Sequence, residues 1–404
     1  MSWIAEALLH VHNWCHGVAK IKSATPKSDN PLRFGVLGAA EINFVALFDP
    51  IFTHPGVTVN AIVARSLSKA QAQIDKYQLK NIKAYGSYVE LLDDPDIDAV
   101  YIPLPNGLHC EWAIKAMEAG KHVLIEKPIA SNAEQARRIR EVSEKIGKVA
   151  LEAFHWRFHP AAHQVKEIVD SGKHGNVISV YAQFYVSAGF LKDDDIRFQY
   201  DLGGGACLDL AYVFSGTTYF ASDDIRASKF NVLAATPRLA SVDKKVDAAM
   251  EAIFEVEQPG RPTIVCNVSA DIARPKLFGL IPKLWEGTPS LSIELEKARI
   301  DFPAFVGPWL NHTITITEKK DDGSLSTTKH TEQCYSGGPQ WGEGRGERWW
   351  TSYRYQLEAF AEMVRAQEAE KEYAGPTLSL DESVRVMELI DAVYQKADLP
   401  RRGL

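Results

Sequence analysis

Lys127, Asp209 and Tyr212 are the residues whose types and spacing invite chemistry. Lys127 lies in AGKHVLIEKPIA (119–130), where Val123, Leu124 and Ile125 form an apolar run typical of a central strand covered on both faces. Glu126 and Lys127 follow at the carboxyl end of that strand, the edge at which open α/β sheets bind ligands. Pro128 fixes φ and withholds a backbone donor, so the strand must stop there. A lysine on such an edge can meet a phosphate, a ribose or a substrate hydroxyl; taken alone, the same tripeptide reads as an ion pair beside a turn. Asp209 and Tyr212 stand three apart in GGGACLDLAY (203–212), a spacing that puts them on one face of a helix start. A tyrosine, with an unperturbed pKa of about 10, serves as a base towards an alcohol if a cation stabilises its phenolate. Lys127 can supply that field, and Asp209 can fix a substrate hydroxyl.

The elements that must hold these groups are legible upstream. LRFGVL (32–37) is a short apolar strand running into Gly38, Ala39, Ala40, Glu41 and Ile42. A tight strand-to-helix turn brings backbone N–H groups and a helix N-terminus towards a pyrophosphate. Of the fingerprint G-x-G-x-x-G, Gly38 occupies the first place, Ala40 the second and Asn43 the third, so the match is partial. A second strand over 57–63 ends in Ala64, Arg65 and Ser66, with Lys69 a turn further on. An acidic residue there would bind the 2′-hydroxyl of NAD; Arg65, Ser66 and Lys69 suit a 2′-phosphate, which favours NADP over NAD. The competing reading is a solvated helix start.

A third strand over 98–104 leads to Pro105, Asn106 and Gly107, and a helix from about His109 to Ala119 is closed by Gly120. Ser131 and Glu134 suggest a capping box for a helix reaching Ile146, and 149–154 reads as one more strand. Strands alternating with helices predict a parallel, doubly wound Rossmann sheet. The boundaries expected are a helical extension and linker over 1–31, a dinucleotide-binding domain over 32–155, and a substrate-binding and dimerisation domain over 156–404.

Composition narrows the class. A chain of 404 residues, 46% apolar and 24% charged, has room for two cores and reads as a soluble globular protein. Its net charge of -7 argues against a general nucleic-acid binder. No apolar run approaches the roughly 20 residues of a membrane span. Five scattered cysteines without a C-x-x-C predict a reducing, cytoplasmic setting with neither a disulfide framework nor a zinc site. Residues 2–21 read as one amphipathic helix, on Ile4, Leu8, Val11, Trp14 and Val18. Its His10, His12, Cys15 and His16 circle the helix axis, which suits a packing or dimer arm better than a metal site.

GVLGAAEI (35–42), ARSLSKA (64–70), YGSYVELLDDPDIDAVYIPLPNGLH (85–109), EAGKHVLIEKPIA (118–130) and EAFHWRFHP (152–160) together resemble the Gfo/Idh/MocA family of oxidoreductases. Within it, the likeness is to the branch of dimeric dihydrodiol dehydrogenases and NADP-dependent D-xylose dehydrogenases. The resemblance implies cofactor contacts from Gly38, Ala39, Ala40, Glu41, Ile42, Arg65, Ser66 and Lys69, and from Pro103, Leu104, Asn106, His109, Glu126, Lys127, Pro128 and Arg157. Arg157 and His159 are expected to face the crevice between the domains. Tyr212 is implied as the acid/base, with Lys127 and Asp209 completing the catalytic group. The family usually sets this acid/base four residues after the aspartate; here the interval is one shorter, and Val213 holds the usual place.

From Ala248 onward, EAIFEV, TIVCNVSADI, LSIELEKARIDF and HTITITEK alternate as antiparallel strands do. The resemblance implies an α+β domain whose largely antiparallel, open-faced sheet makes a homodimer or higher oligomer. Residues 319–349 read as a polar loop, and two helices over about 353–369 and 380–397 close the chain. The expected activity is hydride transfer between NADP and a sugar, such as a xylose-like aldose, or a cyclic trans-diol, with no metal. Two alternatives stay open: an enzyme that retains its cofactor through an internal redox cycle, as NAD-dependent glycosidases of this fold do, and a non-catalytic NADP-binding regulator.

Overall fold

The computed structural model of the chain describes residues 2–278, 280–283 and 286–403. Its strands are β1 (Leu32–Leu37), β2 (Val57–Val63), β3 (Lys83–Tyr85), β4 (Ala99–Ile102), β5 (His122–Ile125) and β6 (Ala150–Glu152), then β7 (Val177–Ser187), β8 (Lys229–Leu239), β9 (Asp247–Glu257), β10 (Ile264–Arg274), β11 (Ser290–Leu295), β12 (Ala298–Pro303), β13 (Ile314–Lys319) and β14 (Leu325–Glu332). The first six make one parallel sheet in the order β3-β2-β1-β4-β5-β6. Strand order reverses between β1 and β4, and the turns after these two strands, at Gly38 and Pro103, flank the crevice that such a reversal opens. Four-residue strands suffice because they are buried on both faces: β4 and β5 are buried at every position.

The other eight strands form a sheet in the order β14-β13-β12-β11-β7-β10-β9-β8, antiparallel except where β10 runs parallel to β7. Alternation decides its faces. Val180, Ala182, Met250, Phe254, Cys266, Val268, Ile293 and Ile300 point inward and are buried, and the helix Tyr212–Ala221 packs across β7 and β10. Tyr181, Glu251 and Ile253 point outward and stay exposed. The helix Leu380–Lys396 returns to lie against the helix Ala133–Ile146 and against β8, with Arg137 paired to Glu388 at 2.7 Å. No helix among the described residues is long and apolar enough to cross a membrane.

Several elements differ from the sequence expectation, each for a local reason. The amphipathic stretch is two helices, Ser2–Cys15 and Val18–Ala24, divided at Gly17, whose φ of +65° suits glycine. His12 is buried and its Nε2 meets the Trp349 carbonyl at 3.0 Å, whereas Trp14 is 83% exposed. The cap of the helix Ala133–Ile146 is Asn132, not Ser131: its side chain accepts from Gln135 N at 2.9 Å. A capping box does occur later, between Ser379 and Glu382. The supposed loop over 319–349 contains β14, whose outward polar residues suit the edge of a sheet. Trp341 from the rest of that segment is buried, and its Nε1 donates to the Phe158 carbonyl at 2.8 Å.

Candidate active site

The site is assembled from three turns. The first follows β1, where Gly38 has a φ of +123° and a Cβ placed on it would come 3.1 Å from Leu104 Cδ2. A side chain there would fill the space between the turn and the segment after β4. Asn43, in the third fingerprint place, is fully buried and works as a brace: its amide donates to Gly38 O and to Gln73 Oε1, both at 2.8 Å, while Gln73 donates to Ala40 O at 2.8 Å. The turn is thus held open by side-chain hydrogen bonds that a third glycine could not make. Ala39 and Ile42 are half-buried and Glu41 is exposed along it. At the end of β2, Arg65 and Lys69 are exposed and Ser66 is half-buried, a donor set suited to an anion. A glycine cradle beside such donors fits a phosphorylated dinucleotide.

The second turn follows β4. Asn106 Nδ2 donates to Gly203 O at 2.9 Å, and a Cβ on Gly203 would lie 2.8 Å from Asn106 Cβ, so a glycine lets the two halves of the molecule close here. His109 is buried between Pro128 O, 2.8 Å from Nδ1, and Leu104 O, 2.7 Å from Nε2. Burial lowers its pKa to about 4 against the pull of these two carbonyls. The neutral ring donates to one of these carbonyls and fills the space between the ends of β4 and β5, and Pro103 and Leu104 are buried beside it.

The third turn is Glu126-Lys127-Pro128, after β5. Lys127 Nζ donates to Asp209 O at 2.7 Å, lies 3.4 Å from Asp209 Oδ1, and stands 5.2 Å from the centre of the Tyr212 ring. The structure thus brings together the three residues singled out from sequence. They do not share one helix face: Ala206–Asp209 is a short helix of its own, and a new one begins at Tyr212. Lys127 spans the break between them. Burial would raise the Asp209 carboxyl, but Arg197, whose Nε is 3.0 Å from Oδ2, and then Lys127 hold it below the usual range. Asp209 is therefore an anion clamped by two cations, and Arg197, which sequence reading passed over, completes the group. Burial pushes Tyr212 well above an ordinary phenol, with Tyr353 and Glu126 adding to it. Glu126 is itself raised by burial and accepts from Tyr101 OH at 2.7 Å and from Lys127 N at 3.2 Å.

The segment 154–160 arranges its polar residues differently from the expectation. His155, not His159, reaches the site, with Nε2 3.3 Å from Tyr212 OH. His159 caps the helix Pro160–Asp170, where its Nδ1 accepts from Ala161 N at 3.2 Å. Arg157 pairs with Glu382 at 3.0 Å and lies 3.8 Å over the ring of Tyr219, beside a cavity of about 80 Å³ also lined by Glu152 and Ser383.

Glu152, at the end of β6, is buried and accepts from Ile129 N at 2.8 Å, and burial raises its pKa to about 7. An unfolded glutamate titrates at 4.5. Between those values the folded chain keeps a proton that the unfolded chain has released, so stability falls as pH rises through the window and levels off above it, by about 3 kcal/mol in all. Glu152→Gln keeps an acceptor for Ile129 and should flatten this slope in urea unfolding at pH 5, 6, 7 and 8. Equal slopes in the two proteins would exclude Glu152 as its source.

Comparison with known proteins agrees with this fold. Residues 32–154 match the model of an oxidoreductase family with an NAD-binding Rossmann fold. The chain is 31% identical over 372 residues to D-xylose 1-dehydrogenase (NADP(+)) 2 of Haloferax volcanii, an alignment that spans 91% of this chain and 98% of the relative. It is 33% identical over 182 residues to trans-1,2-dihydrobenzene-1,2-diol dehydrogenase of Xenopus tropicalis, spanning 44% of this chain and 53% of that one. Among solved structures, the 3-ketoreductase KijD10 of Actinomadura kijaniata, complexed with NADP and TDP-benzene, superposes with a TM-score of 0.71 at 25% identity, covering 91% of this chain and 98% of that one. Aldose-aldose oxidoreductase of Caulobacter crescentus, at 18% identity and a TM-score of 0.70, covering 91% and 98%, shares the fold. With its six-stranded sheet matched by the family model and a relative aligned over nearly its whole length, the chain belongs to the Gfo/Idh/MocA family of oxidoreductases.

Proposed function

We propose that the protein is an NADP-dependent dehydrogenase acting on a CH–OH group of a sugar or a cyclic diol. The observation that carries this reading is the convergence of Lys127, Asp209 and Tyr212 in one cluster, with Lys127 Nζ on Asp209 and 5.2 Å from the Tyr212 ring centre. When bound, NADP supplies or accepts hydride at nicotinamide C4. The backbone N–H groups of the turn at Gly38, Ala39 and Ala40 would hold its pyrophosphate. Arg65, with Ser66 and Lys69, would bind the 2′-phosphate, in keeping with the NADP named for the Haloferax dehydrogenase and for KijD10. Asp209, ionised between Arg197 and Lys127, accepts hydrogen bonds from substrate hydroxyls and so orients a polyol. Tyr212 takes the hydroxyl proton in oxidation and returns it in reduction. A second copy of the chain on the outer face of the eight-stranded sheet belongs to this reading, supported by exposed Tyr181 and Ile253 there.

The test is NADPH formation from NADP with a panel of aldoses and trans-cyclic diols, NAD being the cofactor comparison and Tyr212→Phe the control. Turnover is expected with NADP, and Tyr212→Phe should lower kcat by about 10²-fold or more while NADPH binding persists. Tight NADP binding with no net turnover of any substrate would replace this reading by an internal redox cycle or a sensor.

A further inference from the structure

We propose that His155 is a positioning residue for Tyr212, turning an N–H towards the tyrosine oxygen as that oxygen becomes anionic. The inference rests on the reading of Tyr212 as acid/base and adds a residue to it.

His155 follows β6 in a single turn of 3₁₀ helix, and its ring is held on three sides. Nε2 lies 3.3 Å from Tyr212 OH, Nδ1 lies 2.7 Å from Ser352 Oγ, and the ring stacks on Tyr353 with centroids 3.8 Å apart. The hydrogen-bonded chain is buried, His155 being 3% exposed and Ser352 0%, and Tyr353 is half-buried over the ring. Burial, and then the charge of Lys127, lower the His155 pKa to about 3, so the ring is neutral. A neutral imidazole has one N–H and one lone-pair nitrogen. With a hydroxyl at each nitrogen, the chain can be polarised in two directions. In one, Tyr212 O–H donates to Nε2 and Nδ1–H donates to Ser352. In the other, Ser352 O–H donates to Nδ1 and Nε2–H donates to Tyr212, leaving the phenol hydrogen free to point elsewhere.

The second arrangement answers a need of the site. A phenolate at Tyr212 is opposed by burial, by Tyr353, and by the carboxyl groups of Glu126, Asp209 and Glu152. The nearest cation, Lys127, already donates to the Asp209 carbonyl. A hydrogen bond donated by a neutral group stabilises the phenolate without adding a buried charge. In the reductive direction, hydride passes from NADPH to the carbonyl carbon and the carbonyl π pair takes the Tyr212 proton. The Tyr212 O–H bond breaks, the substrate O–H bond forms, and the phenolate left behind accepts Nε2–H. Oxidation runs the same steps backwards.

His155→Phe keeps the stack on Tyr353 and removes both nitrogens, and Ser352→Ala removes the group that polarises the ring. Both are compared with the wild type and Tyr212→Phe for kcat, KM, NADPH affinity and the pH profile of oxidation. His155→Phe should lower kcat about tenfold with KM within about twofold, and should move the acid limb of the oxidation profile, where Tyr212 must lose its proton, up by about one pH unit, as loss of a hydrogen bond to an anion requires. Ser352→Ala should move the limb in the same direction by less, and Ser352→Thr should restore it. An unshifted limb in either His155→Phe or Ser352→Ala, with Tyr212→Phe inactive, overturns the inference and leaves the acid/base reading standing. Should His155→Phe fail to fold, Ser352→Ala alone decides by the same criterion. Activity in Tyr212→Phe would instead remove the reading on which the inference is built.

Discussion

A Lys127→Ala enzyme is expected to turn over about 10³-fold more slowly than the wild type, within the range that a positioned acid/base group contributes. Two losses combine. Asp209 would keep only Arg197, so a carboxylate now balanced by two cations would lose one of them along with the 2.7 Å bond to its carbonyl. Tyr212 would lose the ammonium 5.2 Å from its ring centre, in a pocket where burial already holds the phenol proton tightly. Lys127→Arg should restore little, because a planar guanidinium cannot give the compact ammonium's geometry between Asp209 and the tyrosine. The measurement is kcat in both directions, with thermal denaturation and NADPH titration showing that the variant is folded and loaded. Wild-type turnover in Lys127→Ala would remove the lysine from the mechanism whatever the substrate.

The second large effect is structural. Arg402 and Asp247 form an ion pair at 2.8 Å with both side chains fully buried. Around it, Arg402 Nε donates to Gly204 O at 2.8 Å, Tyr394 OH donates to Asp247 Oδ1 at 3.0 Å, and Cys207 N donates to Asp247 Oδ2 at 2.9 Å. Asn132 Nδ2 in turn donates to Arg402 O at 2.7 Å, which links the tail to the first sheet's outer helix. Arg402→Ala would leave Asp247 as an unpaired buried charge, a loss of about 3–5 kcal/mol. Because Gly204 and Cys207 belong to the segment that carries Asp209, catalysis should suffer in the fraction that remains folded. Urea denaturation of Arg402→Ala, Asp247→Asn and the double variant checks the assignment. The double variant should be more stable than Arg402→Ala, since it removes the orphaned charge; a double variant no better than the sum of the two singles would place the loss elsewhere.

Much of the architecture was legible because its signals are local. Runs such as Val123-Leu124-Ile125, stopped by a polar pair and a proline, mark buried parallel strands, and the strict alternation in EAIFEV and LSIEL marks half-covered ones. Lys127 was legible for the same reason, at the break after β5, whereas Asp209 and Tyr212 stood out by their spacing after the glycines and by the family likeness. What escaped depends on contacts distant in sequence. His155 reaches Tyr212 because Ser352 and Tyr353, 197 and 198 residues later, fix its ring, and nothing in EAFHWRFHP says which of its polar side chains that will be. Arg197 joins Asp209 from a short turn without periodicity. Asn132 displaces Ser131 as a cap while also holding the carbonyl of Arg402, and β14 carries too few apolar residues to look like a strand until β13 is beside it.

The Arg402 clamp also sets a timetable for the protein's birth. Gly204 leaves the ribosome 198 residues before the arginine that binds its carbonyl, an interval of roughly 10–40 s at ~5–20 residues per second. Through that interval β1 to β6 have all been synthesised, whereas the loop bearing Asp209 waits with Asp247 unpaired. The nascent chain therefore passes through a stage in which all six strands of the first sheet are present while the loop bearing Asp209 lacks its clamp. A ribosome stalled before residue 402 would carry a chain whose Asp209 loop is still unfastened.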